Sequence, residues 1–325
     1  MELTRNATLR EIIQLPCFSQ MQGQFVFSST GNWLIGKEDL TLLELQQQNP
    51  TWFCDDIILG LNRLREIAQH SDQYVFQLDS GAGLVYLPAK EKKRKTFALL
   101  LAGGAYGAVC TLAESLPVAA KLNEMGTDCF CLNYRTATKD SFLHGLMPCP
   151  LEDMAAALRF LDTNRDQFDI QAEDYIAGGF SAGGHLCAMW GTPHRGARSY
   201  GLPSPKLLLL AYPLISLENL QGPMASMLCT GLLGENAGTE AIASYSANHH
   251  VDADYPPAYL CLSKDDNTVP AKDTEDMESA LASANVRYFI ERVPSGGHGF
   301  GLGTATPAKG WVERAIRFME ESNEK

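Results

Sequence analysis

The stretch Tyr175-Ile-Ala-Gly-Gly-Phe-Ser-Ala-Gly-Gly-His185 constrains this chain more than any other. An apolar, strand-like run ends at Gly179-Phe180-Ser181-Ala182-Gly183, and a helix-compatible run follows at once. This is the G-x-S-x-G pattern of a nucleophile elbow, in which a serine occupies a sharp strand-to-helix turn. Glycines flank such a serine because a Cβ at either place would strike the neighbouring strand or helix. The pattern is short, however, and a glycine-rich turn bearing an ordinary serine is the alternative reading. The surrounding sequence decides between them.

From about residue 72 onward, short apolar runs alternate with amphipathic ones. Strands are expected at 74–78, 84–87, 96–101, 129–133, 175–178, 207–211, 258–262 and 287–290. The first two are joined by Asp79-Ser-Gly-Ala-Gly83, a hairpin signal. The run at 96–101 is apolar throughout, as in a strand buried on both faces. Helices are expected at 112–124, 151–168, 182–190, 273–284 and 307–321. Such alternation implies an α/β fold with a mostly parallel central sheet flanked by helices. Residues 216–254 fit the alternation poorly. Their Met227, Leu228, Leu232 and Leu233, interspersed with glycine, suit a lid or pocket wall, with ordinary core packing as the alternative.

Residues 1–70 read as a small helical N-terminal extension, and residues 71–325 as the main α/β domain. Thr8-x-x-Glu11 and Thr41-x-x-Glu44 both have the capping-box form. A third helix is expected at 52–69, with Ile57, Leu61, Leu64 and Ala68 on one face. The extension could form a lid or an oligomer contact; a structural segment packed on the main domain is the preferred reading.

Composition narrows the function classes. At 325 residues, with 45% hydrophobic and 20% charged residues, the chain reads as a soluble globular protein. A net charge of −12 argues against a nucleic-acid partner. The one basic run, residues 90–95, reads as a solvated connection. Nine cysteines form no C-x-x-C pair, and Cys129 and Cys131 lie in an apolar run, so buried free thiols in a reducing compartment are expected. No leader pattern and no apolar run of about 18 residues is present, which points to a cytoplasmic protein without a membrane span.

A serine hydroxyl is a weak nucleophile until a base takes its proton and an acid orients that base. Where the serine sits on an elbow, the chain order is serine, then an acid, then histidine. The base expected here is His298, in Ser295-Gly-Gly-His-Gly-Phe-Gly301 after the last strand. His185 lies one helical turn beyond Ser181 and should point into packing, while His249 and His250 precede the acid and break the order. The acid is Asp266, in Ser263-Lys-Asp-Asp-Asn-Thr-Val-Pro270, with the adjacent Asp265 as the alternative. A tetrahedral intermediate also needs backbone N–H donors. Leu101-Ala-Gly-Gly-Ala-Tyr-Gly107 follows a buried strand, so Gly103, Gly104 and Ala182 are the expected oxyanion-hole residues. A phosphate-binding loop is disfavoured, because no GK[ST] follows.

These residues give the chain a resemblance to the α/β-hydrolase superfamily. Within it, the chain is similar to the esterase/lipase group that includes acetyl-xylan-esterase-like and feruloyl-esterase-like proteins. The similarity is carried by Ala102-Gly-Gly-Ala-Tyr106, Leu132-Asn-Tyr-Arg135, Pro150-Leu-Glu-Asp-Met154, Gly179-Phe-Ser-Ala-Gly-Gly-His-Leu186, Asp266-x-x-Val-Pro270 and Gly297-His-Gly-Phe300. It spans residues 72–322 and departs where Ala102 replaces the usual histidine and Ala105 a third glycine. The resemblance implies a serine carboxylesterase acting on small acyl esters, acetylated sugars among them, with no metal or organic cofactor. It also implies a structural Arg135–Asp153 pair and a pocket-lining Tyr106. A small amidase or peptidase with the same triad is the alternative, and a non-catalytic binding module a third reading. Oligomeric state stays open.

Overall fold

Apolar runs become strands where both faces can be covered. The computed structural model describes residues 3–29 and 34–321. Among these residues, eight strands form one sheet: β1 (Val75–Gln77), β2 (Gly83–Leu87), β3 (Phe97–Leu101), β4 (Asp128–Asn133), β5 (Tyr175–Phe180), β6 (Leu207–Ala211), β7 (Ala258–Ser263) and β8 (Tyr288–Val293). Their order is β1-β2-β4-β3-β5-β6-β7-β8. The β1–β2 hairpin joins antiparallel to β4, and every later pairing is parallel. The loops that follow β3, β5, β7 and β8 therefore meet along one edge of the sheet, where open α/β sheets hold their ligands.

The helices are α1 (Leu9–Ile13), α2 (Leu42–Gln48), α3 (Cys54–Ala68), α4 (Ser115–Glu124), α5 (Ser141–His144), α6 (Cys149–Thr163), α7 (Arg165–Phe168), α8 (Ala182–Trp190), α9 (Gly222–Leu233), α10 (Thr239–Ser244), α11 (Ala271–Ser283) and α12 (Trp311–Glu320). Successive residues of β3 divide between two cores, as a strand's period of two requires. Ala98 and Leu100 pack with α3, α4 and α12, whereas Phe97, Leu99 and Leu101 pack with α6, α8 and α11. No described helix is long and apolar enough to cross a membrane.

Both expected capping boxes form, at Thr8 and at Thr41. The N-terminal segment is woven into one core: Leu9, Phe18, Leu42 and Leu61 share a buried cluster with Leu100 and Trp311. Phe27 and Val109 exchange backbone hydrogen bonds of 3.0 and 2.7 Å, and Leu112 N–H donates to Phe25 C=O at 2.8 Å. The helix expected over 151–168 is broken at Asn164, whose side-chain amide donates to Phe160 C=O at 2.7 Å and closes α6. The basic run is not simply solvated. Lys92 lies 2.8 Å from the buried Asp128 carboxylate, and Arg94 and Lys95 pair with Glu320 and Asp169.

Candidate active site

At the end of β5 the chain turns through Ser181, whose φ of 51° lies in the left-handed region that side-chain-bearing residues avoid. Neighbouring backbone holds it there. Ser181 N–H donates to Ala211 C=O at 3.1 Å, and its own carbonyl accepts from Leu214 and His185 at 3.1 and 3.0 Å. The flanking glycines have a steric cause. A Cβ on Gly179 would stand 2.3 Å from Gly183 O, and one on Gly183 would stand 2.0 Å from Leu101 O. The G-x-S-x-G spacing thus records how closely α8 crosses β5 and β3.

Ser181, Asp266 and His298 lie far apart in sequence, and the structure brings them together. His298 Nε2 is 2.8 Å from Ser181 Oγ, and His298 Nδ1 is 2.7 Å from Asp266 Oδ2. A carboxylate only accepts, so Nδ1 carries the proton and Nε2 is left to accept from Ser181. Asp266 is held by its other oxygen, which accepts from Thr268 and Val269 N–H at 2.8 and 3.0 Å. Asp265 has a different task. Its Oδ1 accepts from Ser263 Oγ and, at 2.8 Å, from Gly297 N–H, so it anchors the glycine loop beside His298. The Ser263 and Gly297 bonds hold its carboxyl below the usual range.

The loop after β3 departs from expectation at one residue. Gly103 N–H donates to the buried Glu114 Oε2 at 2.5 Å, so Gly103 does not offer an oxyanion-hole donor. The N–H groups of Gly104, Ala105 and Ala182 carry no hydrogen bond among the described residues. Gly103 is required for space instead: its Cβ would lie 2.8 Å from Ser181 Cβ. Gly104, at φ 130°, would press a Cβ to 2.2 Å from Ala108 O. Ala105 holds φ 50°, a conformation glycine adopts without cost and alanine does not.

Tyr106 lines the cavity described below, yet its hydroxyl faces inward and donates to His185 Nδ1 at 2.6 Å. His185 in turn gives Nε2–H to Tyr245 C=O at 2.7 Å. This histidine is buried in packing, as its place on α8 implies. Two residues escaped the sequence reading. Glu114 could have been found as a lone carboxylate in an apolar run just after the glycine loop. Tyr212, packed edge-on to the His298 ring at 5.0 Å, had no local signal. Arg135 and Asp153 do pair, at 2.8 Å, and Asp153 also accepts Arg135 N–H at 2.7 Å.

A cavity of about 810 Å³ is lined by residues of the loop after β3 and of the loop that carries Asp266, though not by Ser181 or His298 themselves. Ala105, Tyr106 and Gly107 form one side, and Asn267 and Thr268 the other. Its apolar wall is Phe142 of α5 with Met227, Leu228 and Leu232 of α9. The segment 216–254 therefore forms part of the pocket wall, through α9.

Comparison with known proteins places the chain in a family. The BD-FAE family model matches residues 84–281. An acetylxylan esterase of Xylanibacter ruminicola is 30% identical over 207 residues, covering 62% of this chain and 40% of that protein. Endo-1,4-beta-xylanase B of Butyrivibrio fibrisolvens is 26% identical over 261 residues, covering 77% and 40% respectively. The chain thus spans about two-fifths of the length of these curated relatives. Among solved structures, an acetyl ester-xyloside bifunctional hydrolase from Caldicellulosiruptor lactoaceticus superimposes with a TM-score of 0.64 at 28% identity, covering 75% of this chain and 89% of that one. A carboxylesterase from Lactobacillus plantarum, 21% identical with a TM-score of 0.61, shares the fold. With a family match that runs from β2 through most of α11 and encloses the elbow, the chain belongs to the BD-FAE family of α/β hydrolases.

Proposed function

We propose that this protein is a serine carboxylesterase that cleaves small acyl esters through a Ser181–His298–Asp266 triad and an acyl-enzyme. The observation that carries the reading is the continuous relay of 2.8 and 2.7 Å contacts from Ser181 through His298 to Asp266. Ser181 Oγ attacks the ester carbonyl while His298 Nε2 takes its proton. Asp266 keeps the Nδ1 proton in place and stabilises the imidazolium. The N–H groups of Gly104 and Ala182 meet the oxyanion, with Gly103 released from that role by Glu114. His298 then protonates the leaving alcohol, and water, activated by the same imidazole, hydrolyses the acyl-enzyme. No step calls on a metal or organic cofactor.

Acetylated sugars are the substrate class supported by relatives that include an acetylxylan esterase. The cavity wall of Phe142, Met227 and Leu228 gives an apolar acyl group a place to lie. The purified protein should hydrolyse p-nitrophenyl acetate, and an organophosphate should label Ser181 with loss of activity. Ser181→Ala should lower kcat by at least about 10³-fold. A protein that neither turns over acetate or butyrate esters nor accepts the label would overturn the proposal. A p-nitroanilide assayed alongside the ester separates this reading from an amidase.

A further inference from the structure

Three loops meet at one buried carboxylate. Glu114, just ahead of α4, accepts Gly103 N–H on Oε2 at 2.5 Å and Tyr212 O–H on Oε1 at 3.0 Å. Tyr212 Oη accepts Gly301 N–H at 2.9 Å, three residues beyond His298. Hydrogen-bond accounting fixes the directions. Gly301 can only donate, so the single proton of Tyr212 is free to point to Glu114. Both carboxylate oxygens then accept, which suits the ionised form. The tyrosine ring packs edge-on against His298 at 5.0 Å and against Phe300 at 4.6 Å. Tyr212 itself holds φ 36°, an outlier for a bulky residue. Backbone strain at an aromatic residue, spent where its hydroxyl joins two loops, persists only where the surroundings impose it.

We propose that Glu114 is a positioning residue of the hydrolytic site, fixing the oxyanion loop, through Gly103, against the His298 loop, through Tyr212. The inference rests on the serine-hydrolase reading of Ser181. Glu114 touches no reacting atom. It acts by withdrawing Gly103 N–H from the oxyanion site, leaving Gly104 to face the substrate, and by setting the ring on which His298 leans. Its charge has a second consequence. The groups facing it are Cys110 on its own segment, Tyr134 after β4, Tyr212 after β6 and His298 after β8, with Lys37 of the N-terminal segment acting on Cys110. Burial pushes the Glu114 carboxyl up, while Gly103, Tyr212 and His298 draw it back down. Of these neighbours His298 becomes a cation during the reaction, and an anion near it favours that form.

The test uses the full-length chain and two variants, Glu114→Gln and Tyr212→Phe. Active sites are counted by organophosphate labelling, so that misfolded protein does not enter kcat. Expected for both is a kcat on p-nitrophenyl acetate lower by about 10- to 100-fold, with KM within about twofold. Affinity for a trifluoromethyl ketone, which forms an oxyanion on the serine, should fall by a similar factor. A merely structural role would lower the melting temperature and leave kcat per labelled site and ketone affinity at wild-type values; that result overturns the proposal. Should Glu114→Gln fail to fold, Tyr212→Phe keeps the carboxylate and its Gly103 bond while cutting the hydroxyl's links to Glu114 and Gly301, and wild-type kcat and ketone affinity there overturn it equally. Inactive, unlabelled wild-type protein would instead overturn the hydrolase reading and this inference with it.

Discussion

Two histidines within reach of the elbow have opposite environments. His298 has one nitrogen on Ser181 and the other on Asp266. His185, one turn along α8 from Ser181, is fully buried between Tyr106 and Tyr245 and has no anionic partner. Burial lowers its pKa to about 4. The sign of the resulting pH dependence follows directly. The unfolded chain binds the His185 proton near pH 6.5, whereas the folded chain resists it until about pH 4. The stability contributed by the neutral ring is whole above pH 6.5 and is lost as the pH falls toward 4. The shift corresponds to about 3 kcal/mol. Urea unfolding of wild type and His185→Gln between pH 7.5 and 4 should therefore show the wild-type advantage shrinking by up to that amount. An advantage that stays constant with pH would mean that His185 does not remain neutral on folding. The distinction between the two histidines was legible in the sequence, because chain order and glycine context single out His298. The diversion of Gly103 was not legible, because it depends on where a carboxylate eleven positions later is folded back.

Among the elements, β6 and α8 are legible at both ends because their neighbours impose clear demands. β6 is apolar on both faces, and α8 must cross β3 closely enough to need Gly183 and β5 closely enough to need Gly179. Residues 216–254 were not legible, and α9 shows why. A helix read from periodicity needs one face buried and one exposed. α9 has neither in clean form. A cavity of about 810 Å³ lies along one side, and a second of about 650 Å³ along the other. Met227 stays 53% exposed and Leu232 is fully buried, while Leu228, Cys229 and Leu233 are only partly so. Its apolar character thus answers to space rather than to packed neighbours, and leaves no 3.6-residue period to detect. The bounding glycines, Gly222 at φ 83° and Gly234 at φ 88°, let the chain enter and leave abruptly. If the larger cavity receives the acyl group, filling it should penalise long acyl chains selectively. Leu228→Trp should lower kcat/KM for p-nitrophenyl butyrate relative to acetate by about 10-fold or more. Equal losses on both esters would place the acyl group elsewhere, since the alcohol is the same in each.

At the scale of the whole molecule, the N-terminal segment is the part whose sequence says least about its position. Its capping boxes and the apolar face of α3 are local and could be read. Its contacts with the loops around Ser181 and His298 are tertiary and could not. Residues 25–27 bridge to Val109 and Leu112 in the segment that follows β3. Asp56, at the start of α3, accepts from the Thr304 side chain and, at 3.3 Å, from its N–H. Thr51 sits beside Gly297 and Gly299, where a Cβ on either would lie 3.2 or 3.3 Å from it. The segment therefore braces both the loop after β3 and the loop that carries His298, although the family match begins only at residue 84. A brace of this kind cannot melt without disturbing the site. Heating should give one cooperative transition in which helical signal and esterase activity disappear together. Phe18 offers the sharper probe: it is fully buried and stands edge-on to Phe25 at 5.4 Å within the N-terminal segment. Phe18→Ala should cost about 3–5 kcal/mol. In a chain of this size that lowers the midpoint of the shared transition by about 5 °C. An independent appendage would behave otherwise. The variant would then melt in two steps, and activity would survive the first.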